Sequence, residues 1–159
     1  VKQLDESDKG YSPELWRKMS DLGWMGLPFP SKYGGGDGSF LDLVVLLEAM
    51  GYNVVPGPYF STVVLGGLTI LAAGNEVQKK DLLSKVSMGK LILALALTEP
   101  NAKYDAAAIK TTATEQDGKY VINGTKLFVP DANVADYLLC VARTETTGRE
   151  QTTYAEARA

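Results

Sequence analysis

The chain has 159 residues, of which 45% are hydrophobic and 22% are charged, and its formal net charge is −3 at pH 7. This composition is typical of a globular protein that buries a real core, and it provides no basic surface for nucleic acid. The absence of histidine excludes histidine-activated nucleophiles and histidine metal sites. The single cysteine, Cys140, excludes an internal disulfide framework and a thiolate zinc cluster. Carboxylates alone could still bind Mg²⁺ or Ca²⁺, but no spaced run of Asp and Glu indicates such a site, so we expect no metal.

No segment is predicted to enter or cross a membrane. The longest continuous apolar run, Leu91 to Leu97, is far too short to span a bilayer. The first five residues show no signal-peptide pattern, and a lone cysteine fits a reducing compartment. We therefore expect a cytoplasmic protein without a membrane span.

Helical signals fill the first ninety residues. Ser12, Pro13 and Glu14 supply a capping hydroxyl, a proline at the first helical position and an acid in the first turn. Gly23 is expected to end this helix. The glycine cluster of residues 34–38 resembles a phosphate-binding loop, but it lacks the Gly-Lys-Ser/Thr ending and follows no strand. We interpret it as a mobile turn that links two helices.

The second helix is predicted from Phe40 to Met50. Ser39 precedes it as the cap, and Asp42 stands at the capping-box position. Apolar residues surround most of this helix, so we expect it to be central in the helical region.

Two further helices complete this region. The third covers Tyr59 to Ala73, where the Gly66-Gly67 pair indicates close packing of another backbone in preference to a ligand. The fourth covers Glu76 to Ser87 and is capped by Asn75. Its expected buried stripe contains Val77, Leu82, Leu83 and Val86.

After residue 90 the pattern changes to short strands and turns. Residues 91–97 suit a buried strand, because the run is short, continuously apolar and followed by Pro100. Residues 109–115 alternate and carry three threonines, which predicts a second strand. Asp117-Gly118 and Asn123-Gly124 are tight-turn signals. We expect an antiparallel meander whose remaining strands are residues 119–122, 125–129 and 137–142.

The fold class that follows is α+β. We expect an all-α N-terminal helical domain of residues 1–90, followed by an antiparallel β-domain of residues 91–159. The tail from Thr144 to Ala159 is polar and turn-like, so we expect it to leave the sheet unclosed. Exposed sheet edges are normally covered in proteins. We therefore expect the β-domain to be incomplete, with further polypeptide or a partner covering its edges.

Several short motifs follow one another along the chain in a definite order. The strand motif ends in Leu97-Thr98-Glu99-Pro100, and the turn motif that follows it reads Asn123-Gly124-Thr125-Lys126. The full set occupies residues 23–27, 30, 33–35, 48–51, 94–100, 105, 118–126, 135–136 and 141–144. In this order the motifs resemble the acyl-CoA dehydrogenase family over roughly residues 12–144, which is far more specific than any one motif.

The resemblance implies both architecture and chemistry. The family has an N-terminal helical domain, a middle β-domain and a C-terminal helical domain, and the last of these is absent from this chain. The implied activity is α,β-dehydrogenation of an acyl-CoA thioester with hydride transfer to FAD. The implied partners are the acyl-CoA substrate and an electron-transfer flavoprotein as acceptor, in a homo- or hetero-tetramer. The family's catalytic base is a glutamate of the C-terminal domain, so no catalytic residue is assigned in this chain.

The same resemblance assigns the residues that contact the cofactor. Backbone amides and the Thr98 hydroxyl at the end of the strand would donate to the pyrimidine edge of the flavin, where reduction places negative charge. Without the family, a hydroxyl that caps the turn before Pro100 would be the preferred interpretation of Thr98. The flavin contacts implied are Leu95, Leu97 and Thr98 at that edge, and Phe128, Val129 and Pro130 beside the ring.

Three positions depart from the family pattern. Lys103 and Tyr104 replace a glycine and a serine, so the hydroxyl of Tyr104 lies several ångströms (roughly the length of a ring) further out. These two residues are expected to contact the substrate, with a solvated surface lysine as the equal alternative for Lys103. Pro130 replaces a threonine and offers neither a hydroxyl nor an amide donor. The implied role of Glu99 is structural, and Asp105 is expected to brace the loop.

Three hypotheses remain open at this point. The first is an FAD-dependent acyl-CoA dehydrogenase, favoured by the ordered motifs. The second is a non-catalytic or half-site subunit of a hetero-oligomeric dehydrogenase, favoured by Tyr104 and Pro130. The third is a plain helical scaffold, which leaves the spacing of the β motifs unexplained.

Overall fold

The structure is a computed structural model that describes residues 9–146 and 149–158, with side chains described over residues 9–144. The chain divides into two compact units, Val1–Leu93 and Ala94–Ala159. The first unit is helical, and the second is built on a β-sheet. Within the described part of the chain, no helix is long and apolar enough to cross a membrane.

Helix α1 (Pro13–Asp21) begins and ends as its sequence predicts. The Ser12 hydroxyl accepts a hydrogen bond from the Leu15 amide at 3.2 Å, and Gly23 follows the helix with a φ of +76°. The indole N–H of Trp16 donates to the carbonyl of Gly89 at 2.9 Å, so the buried face of α1 is tied to a distant turn of the same unit.

The glycine-rich turn after α1 is anchored by backbone contacts. The amides of Gly36 and Gly38 donate to the carbonyls of Gly26 and Leu27 at 2.9 and 2.8 Å. A Cβ on Gly35 would lie 2.0 Å from the Phe29 carbonyl oxygen, so glycine is required there by close approach. The turn links two helices as predicted, and close packing requires glycine at Gly35 and Gly38.

Helix α2 (Phe40–Tyr52) carries the predicted capping box. The Ser39 hydroxyl accepts from the Asp42 amide, and the Asp42 carboxylate accepts from the Ser39 amide. The expectation that α2 is central is wrong for the unit described here. Its buried residues are Leu43 and Met50, whereas Phe40, Leu41, Val44, Val45 and Tyr52 are exposed. Apolar residues occupy most faces of this helix, so the sequence did not indicate which face packs against the rest of the unit.

Helix α3 is continuous but changes geometry along its length. It is π-helical over Phe60–Gly67 and α-helical over Leu68–Ala73. Cβ atoms added to Gly66 and Gly67 would lie 2.6 Å from Leu93 Cβ and 2.4 Å from Phe29 Cζ. The packing interpretation of this glycine pair is therefore confirmed, although side chains rather than another backbone press on it.

Helix α4 follows the Asn75 capping box with Gln78 and covers three stretches. These are α-helical Glu76–Gln78, π-helical Lys79–Leu83 and α-helical Ser84–Ser87. Leu82, Leu83 and Val86 are buried as predicted. Val77 was assigned to the same stripe, but it is 78% exposed.

The β-unit is a mixed sheet, so the predicted antiparallel meander is wrong. Its strands are β1 (Leu93–Ala96), β2 (Thr112–Gln116), β3 (Lys119–Asn123), β4 (Tyr137–Thr146) and β5 (Arg149–Arg158). Strand β4 pairs with β1, with β2 and with β5. The β2–β3 and β4–β5 pairs are antiparallel, whereas β2 and β4 run parallel. The sequence contains the strands, but long-range pairing sets their order.

The first predicted tight turn is confirmed and the second is not. Asp117 and Gly118 have φ values of +51° and +74° and join β2 to β3 as a two-residue turn. Gly124 instead lies against Thr111, because an added Cβ would be 2.4 Å from the Thr111 Oγ1. Residues 125–129, predicted as a strand, are not in a strand.

The tail was predicted to be turn-like, and for most of its length this is wrong. Strand β5 pairs with β4 from Tyr137↔Arg158 to Thr146↔Arg149. Threonine and tyrosine in the tail are strand formers, and that propensity outweighed the polar composition that suggested turns. The part of this prediction that concerns residues 147, 148 and 159 lies outside the described residues.

Candidate functional site

The end of β1 is the centre of the candidate site. Leu95, Leu97 and Thr98 are partly exposed there, whereas their neighbours Ala96 and Glu99 are buried. Pro100 follows and lacks the amide that a further ladder bond would need. Strand β1 therefore ends next to a short segment that carries a partly exposed leucine and a threonine hydroxyl.

Glu99 is held by four hydrogen-bond donors. Its Oε1 accepts from the Thr111 amide at 2.9 Å, from the Thr111 hydroxyl at 2.6 Å and from Lys126 Nζ at 2.9 Å. Its Oε2 accepts from the Lys110 amide at 2.8 Å. The Glu99 side chain is 3% exposed and that of Lys126 is 9% exposed, so this ion pair is buried.

The protonation state of Glu99 follows from these contacts. Burial raises the pKa of a carboxyl, but the hydrogen bonds from Thr111, Lys126 and Lys110 outweigh burial and lower the pKa of Glu99 to about 2. A carboxylate with this pKa and with both oxygens occupied is a poor general base. The structural role that the resemblance implies for Glu99 fits this geometry.

Lys126 and Leu127 join the end of β1 to the aromatic segment that follows them. Lys126 Nζ donates to the Leu97 carbonyl at 3.2 Å as well as to Glu99. The Leu127 amide donates to the Thr98 carbonyl at 2.9 Å. Thr98 and Phe128 were both predicted from the sequence to contact the cofactor. The structure bonds Thr98 to Leu127, the residue directly before Phe128.

Phe128 has an unusual backbone and an exposed ring. Its φ is +51°, in the left-handed region that bulky side chains rarely adopt, and its side chain is 87% exposed. Val129 is partly buried and Pro130 is exposed. Conformations of this kind persist where surrounding contacts over-determine them, and they cluster at ligand sites.

The Thr98 hydroxyl is available to a ligand. Among the described residues it has no hydrogen-bond partner, and the residue is partly exposed. The turn after Pro100 is closed without it, by the Ala102 amide and the Glu99 carbonyl at 2.9 Å. The capping interpretation of Thr98 therefore has no contact to support it in this part of the chain.

The loop that holds Lys103 and Tyr104 is organised by other contacts. Asn101 accepts from the Lys103 amide at 3.1 Å and donates to the Ala108 carbonyl at 2.7 Å. Asp105 accepts from the Ala107 amide at 3.0 Å and so braces the loop, as predicted. Tyr104 is 75% exposed. The bonds that join β1 to Lys126 and Leu127 involve neither Lys103 nor Tyr104.

No role was predicted from the sequence for Lys126, Thr111 or Lys110. Lys126 was part of a recognised motif, but its partner lies 27 positions earlier in the sequence. One signal was available, because an acid at the end of a buried strand needs a cation or several donors to remain charged. That signal requires a partner for Glu99 but does not say which lysine provides it.

The residues at the end of β1 suit a flat aromatic group that carries hydrogen-bond acceptors. The Thr98 hydroxyl, which has no hydrogen-bond partner among the described residues, is a donor, and the exposed Phe128 ring is an apolar face on the segment whose Leu127 amide bonds to Thr98. These features fit the isoalloxazine ring of FAD, which presents acceptors along one edge.

Comparison with known proteins identifies the family. A model of the acyl-CoA dehydrogenase N-terminal domain matches residues 1–90, and a model of the acyl-CoA dehydrogenase middle domain matches residues 94–156. Matches to family models over this much of the chain define its class. The chain belongs to the acyl-CoA dehydrogenase family, as its ordered motifs predicted.

Individual relatives agree with this assignment. A short-chain-specific acyl-CoA dehydrogenase of Clostridium acetobutylicum is 36% identical over 151 residues, which cover 91% of this chain and 38% of that protein. The ChsE4–ChsE5 complex of Mycobacterium tuberculosis matches with a TM-score of 0.85 and 25% identity, over 99% of this chain and 41% of that chain. An acyl-CoA dehydrogenase of Bacillus anthracis complexed with FAD matches with a TM-score of 0.77 and 29% identity, over 91% of this chain and 25% of that chain. This chain thus spans less than half the length of these relatives.

Proposed function

We propose that the chain is the helical and middle-domain part of an FAD-dependent acyl-CoA dehydrogenase. The observation that carries the proposal is the geometry at Thr98 in a chain of this family. The Thr98 hydroxyl has no hydrogen-bond partner among the described residues, and the Thr98 carbonyl accepts from the amide of Leu127, the residue before Phe128. The reaction is α,β-dehydrogenation of an acyl-CoA thioester. When bound, FAD accepts the hydride that leaves the β-carbon.

The proposed cofactor contacts are those at the end of β1 and on the aromatic segment. Leu95 and Leu97 supply backbone and apolar surface, and Thr98 donates its hydroxyl to the acceptor edge of the ring. Phe128 presents its ring face, with Val129 and Pro130 beside it. Donors at that edge favour reduction, because they stabilise the negative charge that reduction places there.

The proton that leaves the α-carbon needs a base, and no residue described here is proposed for that role. Glu99 is excluded because both of its oxygens are occupied and its pKa is lowered to about 2. Lys103 and Tyr104 are proposed to contact the acyl-CoA. Both are exposed, and neither takes part in the contacts that fix Thr98.

The visible spectrum of the complete protein tests this function. We expect flavin absorption bands in the purified protein, or their appearance after addition of FAD, and bleaching of those bands by an acyl-CoA substrate. A protein without flavin bands that also fails to recover them with added FAD would contradict the proposal.

A second candidate is a non-catalytic or half-site subunit of a hetero-oligomeric dehydrogenase. Pro130 favours it, since this position offers neither a hydroxyl nor an amide donor. The similarity to the ChsE4–ChsE5 complex, in which two differently named chains are joined, is consistent with it. The two candidates are separated by measuring dehydrogenase activity of the protein expressed alone and of the protein expressed with a partner subunit. Only the first candidate predicts full activity of the protein alone.

The surroundings of this function are also proposals. We propose an electron-transfer flavoprotein as the acceptor, a homo- or hetero-tetrameric assembly and a cytoplasmic location. The domain boundary is proposed between residues 90 and 91. Sedimentation of the complete protein tests the tetramer, and fractionation of the cells tests the location.

A further inference from the structure

Lys126 is a buried cation between the end of β1 and the aromatic segment. Its Nζ lies 3.2 Å from the Leu97 carbonyl oxygen and 2.9 Å from Glu99 Oε1. The next residue, Leu127, donates its amide to the Thr98 carbonyl at 2.9 Å. Lys126 and Leu127 therefore donate hydrogen bonds to the carbonyls of two consecutive residues, Leu97 and Thr98.

These contacts fix the direction of the backbone amide of Thr98. The described chain contains no cis peptide bond, so the Thr98 N–H points opposite to the Leu97 carbonyl within one planar unit. When Lys126 holds that carbonyl, the N–H of Thr98 is directed away from the lysine. Rotation of the Leu97–Thr98 peptide would break the Lys126 bond, and rotation of the next peptide would break the Leu127 bond to the Thr98 carbonyl.

The same contacts restrain Phe128 from its N-terminal side. Its left-handed φ of +51° is unfavourable for an aromatic residue and needs support from its neighbours. The Leu127 bond to Thr98 provides that support on one side. A turn between the Val129 carbonyl and the Ala132 amide, at 3.4 Å, provides it on the other.

We propose that Lys126 is a positioning residue for the flavin: it sets the direction of the Thr98 amide and, with the neighbouring Leu127 bond, holds the segment that carries Phe128 against the end of β1. The inference rests on the proposed function, since FAD is the ligand. Lys126 acts through Leu97 and Glu99 and is not itself assigned a contact with FAD. Without it, the Thr98 amide remains in the chain but loses its fixed direction.

Titration of the complete protein with FAD tests the proposal. We expect Lys126→Met to weaken FAD binding by roughly 10- to 100-fold, by analogy with the loss of residues that orient the direct ligands of a metal site. We also expect a more negative reduction potential for the bound FAD, because misdirected donors stabilise the reduced flavin less. Lys126→Arg keeps a cation and its donors and should restore most of the affinity. Lys119→Met, on the exposed lysine of β3, is the matched control and should change neither quantity.

Two measurements separate positioning from folding. The reduction potential belongs to the flavin-bound protein alone, so it does not depend on how much of the variant is folded. The double variant Glu99→Gln/Lys126→Met removes both buried charges, so it should be more stable than Lys126→Met, which leaves the Glu99 carboxylate without its cation, and it should still bind FAD weakly. FAD-binding affinity and reduction potential equal to those of the unmodified protein, in either variant, would overturn the positioning role.

Amide exchange without FAD distinguishes this inference from the proposed function. Lys126→Met should speed exchange at the Leu127 amide, whatever the ligand, and unchanged exchange there would count against the inference. If the unmodified protein shows no affinity for FAD, the proposed function is refuted instead. Lys126 could then position Thr98 and Leu127 but not a flavin.

Discussion

The carboxylate of Glu99 accepts four hydrogen bonds of 2.6–2.9 Å while it is 3% exposed. A buried charge is tolerated only when it is paired and hydrogen-bonded, and here both conditions are met inside one small network. The network connects the end of β1 to Lys110, Thr111 and Lys126. A single residue thus organises the three segments that surround the candidate site.

Glu99→Gln is expected to destabilise the protein by about 3–5 kcal/mol, the range for breaking one side of a buried ion pair. Both carboxylate oxygens accept from peptide amides, so the NH₂ of glutamine must face another donor in either orientation. Urea unfolding measures the loss. The control is Glu115→Gln on an exposed residue of β2, which should stay within about 0.5 kcal/mol of the original.

The pH dependence of stability should contain a Glu99 contribution. The pKa of Glu99 falls from 4.5 to about 2 on folding. A lowered pKa stabilises the folded state above the unfolded value, so the contribution, on the order of 3 kcal/mol, is complete above pH 4.5 and is lost as the pH falls toward 2. The free energy of unfolding should therefore fall more steeply in this window for the original protein than for Glu99→Gln. Parallel curves for the two proteins would contradict the assignment.

At the scale of elements, the π-helical part of α3 lies where other side chains pack closely against the helix. Its eight-residue π-helical stretch, Phe60–Gly67, contains the Gly66-Gly67 pair. Phe29 and Leu93 press on this pair. Buried Thr62 also exchanges hydrogen bonds with the backbone of Leu93, at 3.2 and 3.4 Å. The helix is therefore shaped by what it touches in the first unit, and its sequence alone indicated only that something approached closely.

Two glycine-to-alanine changes should have opposite effects on stability. Gly67→Ala places a Cβ 2.4 Å from the fully buried ring of Phe29, and overpacking of this kind costs about 1–3 kcal/mol. Gly51→Ala, within α2, meets nothing within 4 Å and should stabilise the protein by about 0.5–1 kcal/mol. Thermal unfolding of both variants measures the difference. Equal effects would show that helix propensity, rather than contact with Phe29, controls Gly67.

At the scale of the whole molecule, ligand binding provides the clearest test. A ligand that binds only the folded protein stabilises it, by about 2.7 kcal/mol when its concentration is 100 times its Kd. We expect FAD to raise the melting temperature of the complete protein in a concentration-dependent way, as followed by calorimetry. NAD, another dinucleotide, is the control and should leave the melting temperature unchanged. An equal rise with both compounds would indicate non-specific binding.

The sequence by itself determined the features that depend on neighbouring residues. The Ser39–Asp42 and Asn75–Gln78 capping boxes and the Asp117-Gly118 turn all rest on contacts within a few positions. The ordered motifs added the family, and with it the helical and β organisation. These features are encoded locally, so a single sequence is enough to predict them.

Only the tertiary structure decided which surfaces meet. It left most of the apolar residues of α2 exposed, made the sheet mixed by setting β2 parallel to β4, and paired the polar tail as β5. It also brought Lys126 to Glu99 and fixed the left-handed Phe128 beside Thr98. Each of these depends on segments that are distant in sequence. Strand propensity and helical periodicity give an element its type, whereas its partner is chosen by the free energy of the whole packed unit.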